Sequence, residues 1–98
     1  MKSKLYRTRE EIVSLLKKKG FIESADSNKS VAKYIADGGN ISVTLTPGAV
    51  IEIRDKGVPI AHFRQPIFDI VVNSDNIVLM TGTDENTDWC NLYIRRNG

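Results

Sequence analysis

Between Ile41 and Thr46 the chain alternates without a break, with Ile41, Val43 and Leu45 on one side and Ser42, Thr44 and Thr46 on the other. Successive side chains of a strand point to opposite faces, so this period fits a half-buried strand and no amphipathic helix. Pro47 and Gly48 form a turn signal, and "AVIEIR" then alternates again, Ile51 and Ile53 against Glu52 and Arg54. "DKG" predicts the next turn. "VPIAHF" reads as a strand that Pro59, which has no N–H to donate, confines to an edge or a bulge. "IFDIVV", the turn "NSD" and "NIVLMT" read as a hairpin, and "WCNLYI" as the last strand. Turns this closely spaced predict an antiparallel meander.

The first twenty residues have a different period. In "TREEIVSLLKKKGF", Thr8 and Glu11 have the spacing of a capping box. Ile12, Leu15, Leu16 and Lys19 form one helical stripe with Val13 at its margin. Lys17, Lys18 and Lys19 stand where the last carbonyls favour cations, and Gly20 suits a left-handed stop. The spacing predicts a helix over 9–19. "KSVAKYIADGGN" fits either a short helix or a strand; the Asp-Gly-Gly cue beside an alternating run favours a hairpin, with "FIES" as a short strand before it. The fold class expected is α+β: an N-terminal amphipathic helix packed on a curled antiparallel meander of six to eight short strands, or a partial barrel, because one helix covers only part of so large a sheet.

With 98 residues the expectation is a single domain over 1–98. The apolar share of 41% and charged share of 27% are ordinary for a globular chain, which argues against disorder. Cys90 is the only cysteine, so there is no intramolecular disulfide and no multi-cysteine zinc site. The charged opening "MKSKLYRTREE" does not read as a secretory signal, and no apolar run is long enough for a membrane helix. These features predict a soluble, cytoplasmic protein. Charge is uneven: residues 1–20 carry seven Lys or Arg against two Glu, whereas residues 65–94 carry five acids and no Lys or Arg. Such asymmetry steers a charged partner, or lets the helix lie against the acidic rim of its own sheet.

Few residues point to chemistry. Asp84, Asn86 and Asp88 have the alternate spacing of calcium ligands, but an EF-hand loop needs Gly at its sixth position and Glu at its twelfth, where this chain has Trp89 and Arg95. The stretch is expected to be a turn, and no metal or cofactor is expected. His62 is the only histidine, and Cys90 falls on the strand face with Leu92 and Ile94, where a buried, inert thiol is expected. None of the glycine clusters lies between a strand and a helix, so all read as turns. "LLKKKGF" resembles the first helix of the small HicA-type RNase toxins, which continue into a strand bearing glycine, serine and histidine; "GFIESADSNKS" has no histidine, and the resemblance implies nothing further.

Two surfaces remain. If Cys90, Leu92 and Ile94 face inward, then Trp89, Asn91, Tyr93 and Arg95 face outward, joined by Val78 and Met80 of the preceding strand. Trp, Tyr, Met and Arg are enriched in interfaces. The main expectation is therefore a small non-enzymatic interaction module, an inhibitor or accessory protein of the size that viruses and mobile elements encode, with another protein as partner. The alternative is nucleic-acid binding through Arg7, Arg9, Lys17, Lys18 and Lys19. A third reading is a ligand-binding or enzymatic pocket inside the curled sheet, with Glu52, His62 and Asp69 as its polar groups. The chain is expected to be a monomer or a homodimer joined through an edge strand, the last strand being the unprotected one.

Overall fold

The computed structural model describes residues 5–48, 50–64, 66–82 and 89–96, with Trp89 described by its backbone alone. The elements run α1 (Arg9–Lys18), β1 (Ile22–Glu23), β2 (Ala32–Ala36), β3 (Ile41–Thr46), β4 (Val50–Asp55), β5 (Val58–Phe63), β6 (Ile67–Val72), β7 (Asn76–Gly82) and β8 (Trp89–Arg95). The α+β class holds, and the strands follow one another as an antiparallel meander. They divide into two sheets, β1-β2-β3-β4-β5 and β6-β7-β8, and do not close into a barrel.

Alternation decides what each strand buries. Ile41, Val43 and Leu45 of β3 and Ile51 and Ile53 of β4 are almost wholly shielded, and Ile70, Ile77 and Leu79 meet them from the second sheet in one continuous core. Residues 32–36, ambiguous by pattern, form a strand in register with β3, Tyr34 opposite Val43. A short 3-10 turn over Asp37–Gly39 links the two. At "DKG" the hairpin needs positive φ at both central residues to match the twist of its strands; Lys56 takes +52° and Gly57 +82°. The proline strand sits where its missing donor does least harm. Among the described residues β5 pairs only with β4, and the register slips between Ile53 and Arg54, opposite Pro59.

Helix α1 begins as its capping box dictates. The Thr8 hydroxyl accepts from the Glu11 N–H at 3.1 Å, and the Glu11 carboxylate accepts from the Thr8 N–H at 3.0 Å. Ile12, Leu15 and Leu16 enter the core. The helix ends at Lys18, with Lys19 as its cap and Gly20 at φ +92°, so that the Phe21 N–H reaches back to the Leu16 carbonyl at 2.9 Å. Lys19 is not an apolar-stripe residue: its ammonium leaves the core and pairs with Asp69 of β6 at 3.1 Å. At the other end of the helix, Arg9 donates to the Ser30 carbonyl in the β1–β2 loop at 3.1 Å. The helix is thus a strut tied to one sheet at its start and to the other at its end. Among the described residues no helix is long and apolar enough to cross a membrane.

This packing makes two stability predictions, both read by urea denaturation. Leu16→Ala, at a fully shielded site, is expected to cost about 3 kcal/mol. Thr8→Ala removes one half of the capping box and is expected to cost about 1 kcal/mol.

Candidate functional site

The inward row of β4 reads Ile51, Ile53, Asp55, and that of β8 ends in Ile94 with Arg96 two residues on. A carboxylate and a guanidinium therefore stand where the pattern would place apolar side chains. Asp55 is fully buried, and Arg96 is nearly so. A buried charge costs several kcal/mol unless it is paired and hydrogen-bonded. Here the guanidinium supplies the pairing as a planar fork. Nε donates to Asp55 Oδ2 at 3.3 Å and Nη2 to Asp55 Oδ1 at 3.2 Å. Nη2 also meets Asp37 Oδ2 at 2.8 Å, and Nη1 donates to the Asn73 carbonyl at 3.0 Å. Only arginine offers this number of donors in one rigid plane.

The hydrogen bonds that Arg96 donates to Asp55 first, and to Asp37 second, hold it above its ordinary guanidinium range against the opposing effect of burial. A cation with a raised folded pKa contributes its stability fully at every pH below the unfolded value, and loses it only as pH rises through the folded one. The contact is therefore intact through neutral and mildly alkaline solution.

A cleft of about 520 Å³ opens beside this cluster, lined by Asp37, Asn40, Lys56, Val72, Asn73, Ser74 and Arg96. It lies where the turns of the two sheets meet, and the Lys56 N–H closes onto the Asn40 carbonyl at 2.7 Å. The Arg96 donors are directed at Asp55, Asp37 and a backbone carbonyl, so its charge is compensated from within the protein. The arrangement works as a clamp between sheets. Arg96 escaped the sequence reading, which singled out its neighbour Arg95. The signal was present in the alternation itself, since counting by twos from Ile53 and Ile94 places Asp55 and Arg96 on the core side.

The second candidate surface is β8. Its register with β7 puts Ile94 opposite Ile77, Leu92 opposite Leu79 and Cys90 opposite Thr81, which confirms the facing that alternation predicts. Burial does not follow from that facing. Cys90 is exposed and Leu92 is 41% exposed; only Ile94 packs against the core. The expectation of a buried thiol is corrected. β8 is an edge strand, and among the described residues Cys90 and Leu92 near its beginning stay exposed on its inner face. On the opposite face Tyr93 is 68% exposed, Asn91 and Arg95 are exposed, and Val78 and Met80 are half-buried beside them. The structure thus brings Met80, Asn91 and Tyr93 together, Met80 directly across from Asn91 and Val78 from Tyr93. The Trp89 side chain and residues 83–88, including Asp84, Glu85, Asn86 and Asp88, lie outside the described residues. Where an EF-hand has a helix after its loop, this chain has strand β8.

The other sequence candidates separate. Arg7, Lys17 and Lys18 are exposed, whereas Arg9 and Lys19 are engaged within the fold, which reduces the basic segment. Glu52 and His62 are paired across β4 and β5 on the face away from the core, Glu52 holding Arg54 at 2.7 Å. Asp69 is held by Lys19 on the outside of β6. These three do not converge on an internal pocket, because the space between the sheets is filled by apolar side chains, mostly aliphatic. Comparison of the chain with protein-family models, with curated proteins and with solved structures finds no match.

The clamp makes a prediction for the stability of the protein. Arg96→Met leaves Asp55 buried without its main cation and is expected to cost about 3 kcal/mol in urea denaturation. The double change Asp55→Ile with Arg96→Met removes both charges and is expected to recover most of that loss.

Proposed function

We propose that this chain is a non-enzymatic protein-interaction module that engages its partner through the outer face of the β6-β7-β8 sheet. The observation that carries the reading is the placement of Tyr93, a large aromatic with two-thirds of its surface in water, beside half-buried Met80 and Val78. Isolated exposed apolar residues are ordinary on a globular surface. An exposed aromatic flanked by a flexible thioether and a branched aliphatic, with a polar Asn91 and a cationic Arg95 at its rim, has the composition of an interface centre with its border.

The rigidity of the surface supports the same reading. Tyr93 and Met80 project from paired strands, so little conformational entropy is lost when they are covered. Arg95 and Asn91 supply donors at the margin that steer and orient the encounter. The residues that would have to act in an enzyme, His62, Cys90 and the carboxylates Glu52 and Asp69, lie on separate faces or in separate ion pairs.

The test is affinity capture with the wild-type protein, identification of the bound partner, and titration of that partner against variants. Tyr93→Ala is expected to weaken binding by roughly thirtyfold, the effect of truncating an interface centre, while circular dichroism stays unchanged. An unaltered affinity in a folded Tyr93→Ala, Met80→Ala double variant would remove this face from the reading.

A further inference from the structure

A strand at the edge of a sheet presents unpaired N–H and C=O groups, and folded proteins commonly protect such edges. Three of the four edges here are protected. β1 is two residues long. β5 carries Pro59 and a register slip. The outer edge of β6 is met by Tyr6, whose N–H donates to the Ile67 carbonyl at 2.8 Å and whose carbonyl accepts from the Ile67 N–H at 3.2 Å. Among the described residues, β8 has no such protection. It is seven residues long, contains no proline or glycine, and is paired in register along its whole length with β7. β5 approaches it without backbone pairing among the described residues, and the Arg96 clamp marks the C-terminal end of β8 as the place where the two sheets meet.

The direction of the unpaired groups follows from the ladder. The Arg96 N–H donates to the Asp75 carbonyl at 3.0 Å, so these two form a hydrogen-bonded pair. In an antiparallel ladder such pairs alternate with non-bonded ones. Ile94, Leu92 and Cys90 therefore exchange their bonds with β7, and the N–H and C=O groups of Asn91, Tyr93 and Arg95 turn to the open edge. The β6–β7 turn agrees: the Asn73 N–H donates to the Asn76 carbonyl at 2.8 Å, which assigns the groups of Ile77, Leu79 and Thr81 to β8.

We propose that two copies of this chain associate through antiparallel pairing of their β8 edges about a two-fold axis at Leu92. This register uses all of β8, and every residue with free groups meets another. Asn91 of one copy faces Tyr93 of the other in a hydrogen-bonded pair, and Arg95 falls opposite Trp89. No like charges stand opposite each other, because Arg95 is the only charged residue in the strand. On the core side Leu92 meets Leu92, and Cys90 meets Ile94, so the apolar row left open in one copy continues into the next. The occupant this edge fits is thus its own sequence reversed. The pairing consumes the edge and leaves the Tyr93 face outward, so it is independent of the function proposed above.

A two-strand contact is small for a stable interface, so the dimer is expected to depend on concentration. Light scattering coupled to size exclusion should show the wild-type mass rising toward twice the monomer as concentration increases. Leu92→Lys places two ammonium groups directly opposite each other and should remain monomeric; Leu92 is already 41% exposed, and circular dichroism checks that this variant folds. Cross-linking fixes the register. In a Cys90→Ser background, Leu92→Cys sets two thiols across a non-bonded pair with Cα atoms about 4.5 Å apart, within disulfide reach. Mild oxidation should link it roughly tenfold faster or more than Tyr93→Cys, whose thiol faces Asn91 instead. A wild-type protein that stays monomeric at every concentration overturns the proposal and leaves the edge to a different chain. So does a Leu92→Lys variant that dimerises as well as wild type, or equal cross-linking by the two cysteine variants.

Discussion

A carboxylate with no exposed surface sits where the core of this protein would otherwise continue, and the two sheets meet around it. Asp55 ends the inward row of β4, and Arg96 reaches it from beyond β8, in the other sheet. Neither charge is tenable alone in that position, because burial removes the water that would solvate it. Each is therefore held by a residue more than forty positions away in the chain, with Asp37 and the Asn73 carbonyl completing the shell. The hydrophobic core alone would tolerate some sliding of one sheet over the other. A fork of directed hydrogen bonds does not, since displacement leaves buried donors and acceptors unmatched.

The helix performs the corresponding task on the opposite side. Its apolar stripe enters the same core that the clamp borders, and its two ends are tied to different sheets, Arg9 to the β1–β2 loop and Lys19 to β6. The helix ion pair is partly exposed, so salt and solvent screen it and it contributes less than the buried contact. Its effect is positional. It also changes how the charge asymmetry is understood: the lysines at the helix end and the acid on β6 are partly each other's partners, which leaves a weaker basic surface than composition suggests.

Two sheets fastened at these places leave β8 as an edge that no strand pairs with on its outer side among the described residues. β8 is paired on one side, fixed near its C-terminal end by Arg96, and open at its beginning, where residues with inward facing are nonetheless exposed. The surface bearing Tyr93 and the backbone edge beside it are consequences of the same arrangement. Both follow from two sheets that approach without closing, and an unclosed sheet always keeps an edge.

Most of the secondary structure was legible in the sequence, because it depends on local periods. Alternation placed β3 to β8 and their facing, the capping box and Gly20 bounded α1, and Pro59 marked its strand as an edge. Alternation also held the key to the clamp, since counting by twos puts Asp55 and Arg96 inward, although a charge at an inward position does not name its partner. What the sequence by itself determined is which way each side chain points. Only the tertiary structure decided what each one meets: whether an inward residue such as Leu92 is covered, whether Lys19 joins the apolar stripe or pairs with Asp69, and whether Glu52, His62 and Asp69 converge. Facing is set by backbone geometry over two residues, whereas burial and pairing are set by surfaces brought together from distant parts of the chain.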